Sequence, residues 1–135
     1  MKIQIAAIIS ANGYLIFPAN DTSSWQSFPK KYALSSLRKD ADLLLHKNAS
    51  LLSLLAEKQN KIDTTYFIEV TPDKVDLIKG LLLYRLANEL FLYALPYNTE
   101  GGIPLSGILD LSNWNLRKEH TLPERVVCRI YRRQR

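Results

Sequence analysis

Few residues in this chain can act as nucleophile, metal ligand or redox centre. His46 and His120 lie far apart in sequence, and neither has a cysteine or paired acids at ligand spacing. A metal site is therefore not expected. Cys128 is the single cysteine. It alternates with Val126 and Ile130, so it reads as a buried structural thiol rather than a nucleophile. One cysteine permits neither an internal disulfide nor a redox pair, which fits a reducing, cytoplasmic compartment. No Ser-His-Asp order and no nucleophile elbow is present. Phosphate loops need glycine, and five glycines in 135 residues is about half the usual share of about 7%.

Positive charge is the remaining chemical resource. The chain carries 18 Lys+Arg against 13 Asp+Glu, a formal net charge of +5. Arg125, Arg129, Arg132, Arg133 and Arg135 crowd the C-terminal segment. Such a patch attracts phosphate groups or nucleic acid. It also describes a solvated edge strand whose charge deters edge-to-edge pairing. No aromatic-plus-basic pattern of a nucleic-acid module accompanies it, so nucleic acid is not the expected partner.

These groups must be positioned by regular elements. Residues 2–9 are rich in Ile and Ala and read as a buried strand, followed by a turn at Asn12-Gly13. Tyr14-Leu15-Ile16 is a short extended piece. Ser27-Phe28-Pro29 opens a helix carrying Ala33, Leu34, Leu37 and Ala41. Leu43-Leu44-Leu45 suits a buried strand. Asn48 caps a second helix with Leu51, Leu52, Leu54 and Leu55, either core or partner surface. Residues 64–70 (TTYFIEV) read as a strand. Thr71-Pro72-Asp73 starts a third helix with Val75, Ile78, Leu82 and Leu86 as its buried stripe. Glu89 to Leu95 is another strand. A turn at 98–102, a short apolar element near 103–109 and a final strand at 125–132 complete the chain. The alternation implies a largely parallel sheet covered by helices, with an antiparallel C-terminal addition.

Length and composition fit one domain over 1–135, with 47% hydrophobic and 23% charged residues. No apolar run approaches the ~18 residues of a membrane span. The stretch Ile3 to Ile9 could imitate a signal peptide. Gln4 interrupts it and no Ala-x-Ala site follows, so a buried strand is expected.

Four segments together resemble a known fold: IAAIISANGYL, DTSSWQS, LRKDADLLL and ANELFLYALPYNTEGGIPL. In this order they are similar to the dihydrofolate-reductase-like α/β fold, and more closely to the bacterial RibD C-terminal domain, the reductase of riboflavin biosynthesis. They cover most of residues 1–49 and 64–132. The resemblance implies a three-layer fold, mostly parallel with an antiparallel C-terminal strand. It implies NADPH-dependent hydride transfer to a pyrimidine- or pteridine-like substrate, the protein aligning two rings and excluding water. It places Asn12, Ser24 and Trp25 on a small planar heterocycle. Trp25 would stack on the ring or plug the core beside the first helix. It places Lys47, Thr71, Gly101 and Gly102 towards the cofactor.

The departures are specific. A Gly-Arg-x-Thr-like sequence is replaced by His46-Lys47-Asn48-Ala49, and only a leucine-rich helix then intervenes, so the cofactor half is shortened. Lys47 can still meet a phosphate as a point charge. Glu-Gly-Gly-Pro is replaced by Glu69-Val70-Thr71-Pro72. Val70 adds bulk where backbone should approach a pyrophosphate, and Pro72 brings no N–H. Asn12 stands where the family has Asp, and an amide is neither acid nor base. The first-helix stretch from Phe28 to Tyr32 carries no acid, which argues against dihydrofolate. Asp21 is the nearest carboxylate. The rival reading is a non-catalytic module that binds a small ligand or a partner protein. A shortened sheet exposes edges that a homo-oligomer, such as a dimer, would cover.

Overall fold

The structure is a computed structural model and describes residues 1–16, 40–60 and 63–133. The helix expected from Ser27 lies outside the described residues. Six strands form one sheet in the order β2-β3-β1-β4-β6-β5. They are β1 (Lys2–Ile9), β2 (Leu43–Leu44), β3 (Thr65–Glu69), β4 (Glu89–Ala94), β5 (Trp114–Thr121) and β6 (Val127–Arg133). The first four run parallel. β6 pairs antiparallel with β4, and β5 antiparallel with β6.

Residue parity along the strands divides the core, because successive side chains point to opposite faces. Ile3, Ile5, Ala7 and Ile9 of β1 join Tyr66, Ile68, Leu90 and Leu92 on one face. Ala6 and Ile8 join Phe67, Phe91, Tyr93 and Cys128 on the other. β1 is thus apolar on both faces, as a central parallel strand must be.

Two described helices, α1 (Leu51–Gln59) and α2 (Val75–Leu83), cover the first face. Gly80 allows their contact, since a Cβ there would come within 2.6 Å of Leu51 Cδ1. The cap of α1 is Ser50, not Asn48. Its hydroxyl accepts from Ser53 N at 3.2 Å, while Asn48 lies in the preceding turn. Leu54 is buried and Leu52 is 80% exposed, so the leucine run serves both core and surface.

Thr71-Pro72-Asp73 opens a 3-10 turn (Pro72–Lys74) before α2 begins. Thr71 does not cap it, because its hydroxyl donates to Asp73 Oδ1 at 2.5 Å. The buried stripe is Leu77, Ile78 and Leu81. Val75 and Leu82 are only partly buried, and Leu86 packs inside after the helix ends.

Two further corrections concern the sheet edges. β2 is an edge strand with Leu43 and Leu44 about half exposed, and only Leu45 turns inward. β5 spans a stretch between residues 110 and 124 to which the sequence pattern assigns no element. Seven of its eight residues are exposed, so it has no apolar alternation to announce it. No described helix is long and apolar enough to cross a membrane.

Candidate functional site

Parallel α/β sheets bind ligands beyond the carboxyl ends of their strands. At that end of β1 the chain turns through Ser10 to Gly13, and a clasp forms with the loop after β4. Asn12 Nδ2 donates to the Thr99 carbonyl at 3.0 Å, and Asn12 Oδ1 accepts from Thr99 N at 3.2 Å. The buried Ser10 hydroxyl donates to the same Oδ1 at 2.5 Å and accepts from Tyr14 N at 3.0 Å. Ala11 N adds a bond to the Tyr97 carbonyl at 2.8 Å. A side-chain amide can both accept from the N–H and donate to the C=O of one residue, which an ionised carboxylate cannot. Asn12 therefore holds two loops together, and a carboxylate would oppose the Thr99 carbonyl.

Gly13 takes a left-handed φ of 86°, open to glycine without steric cost. Its carbonyl accepts from Leu105 N at 3.0 Å, and Leu15 N donates to the Ile103 carbonyl at 2.8 Å. These bonds frame a cleft of about 660 Å³. Ile9, Leu105 and Leu109 give it an apolar wall; Asn12, Tyr14 and Asp110 give it polar groups. The Asp110 carboxyl is held below its usual range by hydrogen bonds from Ser112, first from its side chain and then from its N–H, which lies 2.9 Å from Oδ1. It is ionised at neutral pH and can only accept hydrogen bonds. Asp110 was not singled out in the sequence, although Asp-Leu-Ser is the pattern of a side chain capping its own turn. Thr99 carried no signal at all, because its bonds to Asn12 are main-chain ones.

A second group lies at the carboxyl ends of β2 and β3. Thr71 donates to Asp73, and this bond is the largest cause holding the Asp73 carboxyl low; the charges of Lys74 and Lys47 act in the same direction. Lys47 and Thr71 are therefore brought into one neighbourhood, with an acid beside them. Val70 turns its side chain into the core, and its N–H donates to the Ala6 carbonyl at 2.8 Å. Lys74, Leu45 and Phe67 line a small hollow of about 180 Å³ here. Gly101 and Gly102 are exposed, with φ of 77° and 116°, in the loop that Thr99 fastens to Asn12. They stand with the Asn12 group, not with Lys47 and Thr71. Ser24, Trp25 and Asp21 lie outside the described residues.

The remaining chemical groups stay apart. His46 and His120 are exposed, and the described residues hold no cluster of His, Cys, Asp and Glu able to bind a metal ion. Cys128 is buried; burial pushes its thiol up despite a hydrogen bond with Tyr93.

No protein-family model matches the sequence, and no curated protein matches it. Solved structures do. The Thermotoga maritima diaminohydroxyphosphoribosylaminopyrimidine deaminase/5-amino-6-(5-phosphoribosylamino)uracil reductase superposes with a TM-score of 0.69 at 10% identity, over 98% of this chain and 56% of that one. The Saccharomyces riboflavin biosynthesis reductase gives 0.57 at 11%, over 99% and 89%. Enterococcus faecalis dihydrofolate reductase gives 0.54 at 12%, over 99% and 97%.

The fold is that of dihydrofolate reductase. The mixed sheet, its antiparallel C-terminal addition and the single helix between β2 and β3 all belong to this architecture in a compact form. The Asn12 cleft lies at the end of the sheet where this class of fold places ligands.

Proposed function

We infer that this chain is a divergent member of the riboflavin-pathway reductase family that keeps a ring-binding cleft. The cleft beside Asn12 would take a planar pyrimidine- or pteridine-like ligand. The observation that carries this reading is the clasp from Ser10 and Asn12 to Thr99, which holds open a part-apolar, part-polar cleft at the ligand end of a dihydrofolate-reductase fold. Tyr14 supplies ring surface, and Asp110 and Ser106 supply acceptors along one rim.

The residues near Lys47 do not fit the diphosphate of NADPH. Such a group needs free backbone N–H donors and net positive charge. The Val70 N–H is committed to β1, Pro72 has none, and the Thr71 hydroxyl is engaged by Asp73, whose carboxylate opposes an incoming phosphate. A non-catalytic binding module on the same fold is the reading favoured by that mismatch. Self-association goes with it: the half-exposed Leu43 and Leu44 and the outer edges of β2 and β5, which no described strand covers, are what a second copy would bury.

The test has two arms. Titration with NADPH, followed by nicotinamide fluorescence, is expected to give no saturation up to about millimolar concentration. Saturable micromolar binding would overturn the loss of the cofactor grip. A thermal-shift series with pterin and pyrimidine compounds is expected to raise the melting temperature, because such ligands bind only the native state. The rise should shrink in Tyr14→Ala. If no ring compound shifts the transition, the cleft is not a ring site and the association module remains.

A further inference from the structure

The amino ends of the parallel strands carry a second, differently built cleft of about 750 Å³. Six cationic side chains line it: Lys2, Lys58, Arg85, Arg117, Arg132 and Arg133. Among the described residues its one lining carboxylate, Glu89, is already engaged. Lys2 Nζ lies 2.7 Å from Oε1 and Arg132 Nε lies 3.6 Å from Oε2. Lys58, Arg117 and Arg133 add positive charge beyond the pairings of Glu89.

Three features of the backbone bring these cations together. First, α2 ends with Arg85 N donating to the Leu82 carbonyl at 3.1 Å and Leu86 N to the Leu81 carbonyl at 2.8 Å. This helix stop ordinarily places glycine at the left-handed position. Here Arg85 occupies it, with φ of 55°. Second, the Arg85 carbonyl accepts from both Arg133 Nη1 and Lys58 Nζ, drawing cations from β6 and α1 to the helix end. Third, β5 contains a bulge: Leu116 pairs with Tyr131 and Lys118 with Ile130, so Arg117 is the extra residue and its side chain is re-aimed.

The Arg85 and Arg133 guanidinium groups repel one another. The Arg133 guanidinium is pushed down mainly by burial and then by the charge of Arg85. A left-handed arginine opposes folding locally. A bound anion would offset the burial and like-charge cost at Arg133.

We propose that the cleft between the end of α2 and the bulge of β5 binds a phosphate chain, free or carried on a nucleotide. Several closely spaced cations in a concavity suit a di- or triphosphate better than a single anion. Among the described residues no aromatic side chain lines the cationic cleft itself, and one ring, Trp114, stands in the hollow beside it, too few for the run of stacking platforms that single-stranded nucleic acid uses. Arg85 and Arg133 also line an adjoining hollow of about 390 Å³ walled by Leu82, Leu109 and Trp114, with Asp110 and Asn113 as polar groups. A nucleoside attached to the phosphates would extend there. The cationic cleft itself shares no lining residue with the Asn12 cleft, so the two can fail independently; the adjoining hollow shares Leu109 and Asp110 with it.

Calorimetric titration of the whole chain with tripolyphosphate, at about 0.1 M salt, is expected to show saturable one-to-one binding that weakens as salt is raised. Arg117→Glu should weaken it at least tenfold. Arg85→Gly should weaken it while leaving the melting temperature unchanged or raised, a combination that damage to the fold would not give. Lys79→Glu makes the same charge change on an exposed position of α2 outside the cleft and should leave affinity unchanged. Tighter binding of ATP than of tripolyphosphate would assign a nucleotide; equal affinities would assign the bare phosphate chain. The proposal is overturned if wild type shows no saturation, if Lys79→Glu loses as much as Arg117→Glu, or if a 20-nucleotide single strand outcompetes tripolyphosphate.

Discussion

The two ends of the sheet are held by different forces. At the carboxyl end, neutral hydrogen bonds from Ser10 and Asn12 fasten one loop to another. At the amino end, Glu89 gathers Lys2, Gln4 and Arg132, and the surplus cations face outwards. A neutral clasp is insensitive to salt and suits a cleft for an uncharged ring. A charged cluster around one acid is sensitive to salt and pH and leaves a surface selective for anions. The same six strands therefore present two chemically opposite sites.

The comparison can be broken most sharply at Glu89. Burial pushes its carboxyl up, but the hydrogen bonds from Lys2 and Gln4 and the charges of Lys2 and Arg132 outweigh burial and leave it lowered. A carboxyl lowered in the folded state stabilises above its ordinary value, and that stability is lost as pH falls through the lowered value. Urea denaturation should show Glu89→Gln roughly 2–3 kcal/mol less stable at neutral pH, because charged hydrogen bonds are lost. The deficit should narrow towards pH 3. An undiminished deficit at low pH would mean that packing, not charge, secures this end. The same variant should bind tripolyphosphate more tightly, since the Glu89 carboxylate that lines the cleft is gone.

At the other end, Asn12→Asp should cost roughly 1–2 kcal/mol at neutral pH, by setting a carboxylate against the Thr99 carbonyl. The loss should shrink as the new carboxyl is protonated and can donate. Added salt should change the cost little. A cost that disappears in 1 M salt would make this clasp electrostatic after all.

A smaller effect, of opposite sign, is expected from Arg85→Gly. Relief of the left-handed arginine should stabilise the fold by about 0.5–1 kcal/mol in thermal denaturation, after allowing for the freer unfolded chain. A clear loss of stability would show that the Arg85 side chain packs structurally. The smallest effect concerns reactivity. Native Cys128 should react with a thiol reagent far more slowly than the unfolded chain, because burial keeps it protonated and covered.

The parallel strands β1, β3 and β4 were legible because burial on both faces demands unbroken apolar runs, and IQIAAII, TYFIE and ELFLYA supply them. The edges were not. β5 is polar along nearly its whole length and is a strand only because β6 offers it a partner. Leu43 and Leu44 look like core by type, yet they border solvent because no described strand lies beyond β2. The start of α1 was misplaced by two residues: Asn48 is a good cap by type, but the turn at His46 to Ala49 takes it up and Ser50 caps the helix instead.

The candidate sites divide in the same way. Asn12, Lys47 and Thr71 stood out by resemblance, and the strand ends carry them to the rim of the sheet. Asp110 and Thr99 act through a turn and a main-chain clasp, neither of which local spacing reveals. The arginine-rich end of the chain showed a charge excess but not its shape.

Apolar parity in the strands fixed which segments lie in the middle of this sheet, and the residue counts fixed its surplus of positive charge. Only the tertiary structure decided which cations share a cleft. Lys2, Arg85, Arg117 and Arg132 come from four separate segments, and strand pairing, a helix stop and one bulge bring them together. Periodicity is a local property of the chain; the meeting of distant charges depends on the register and order of every strand between them.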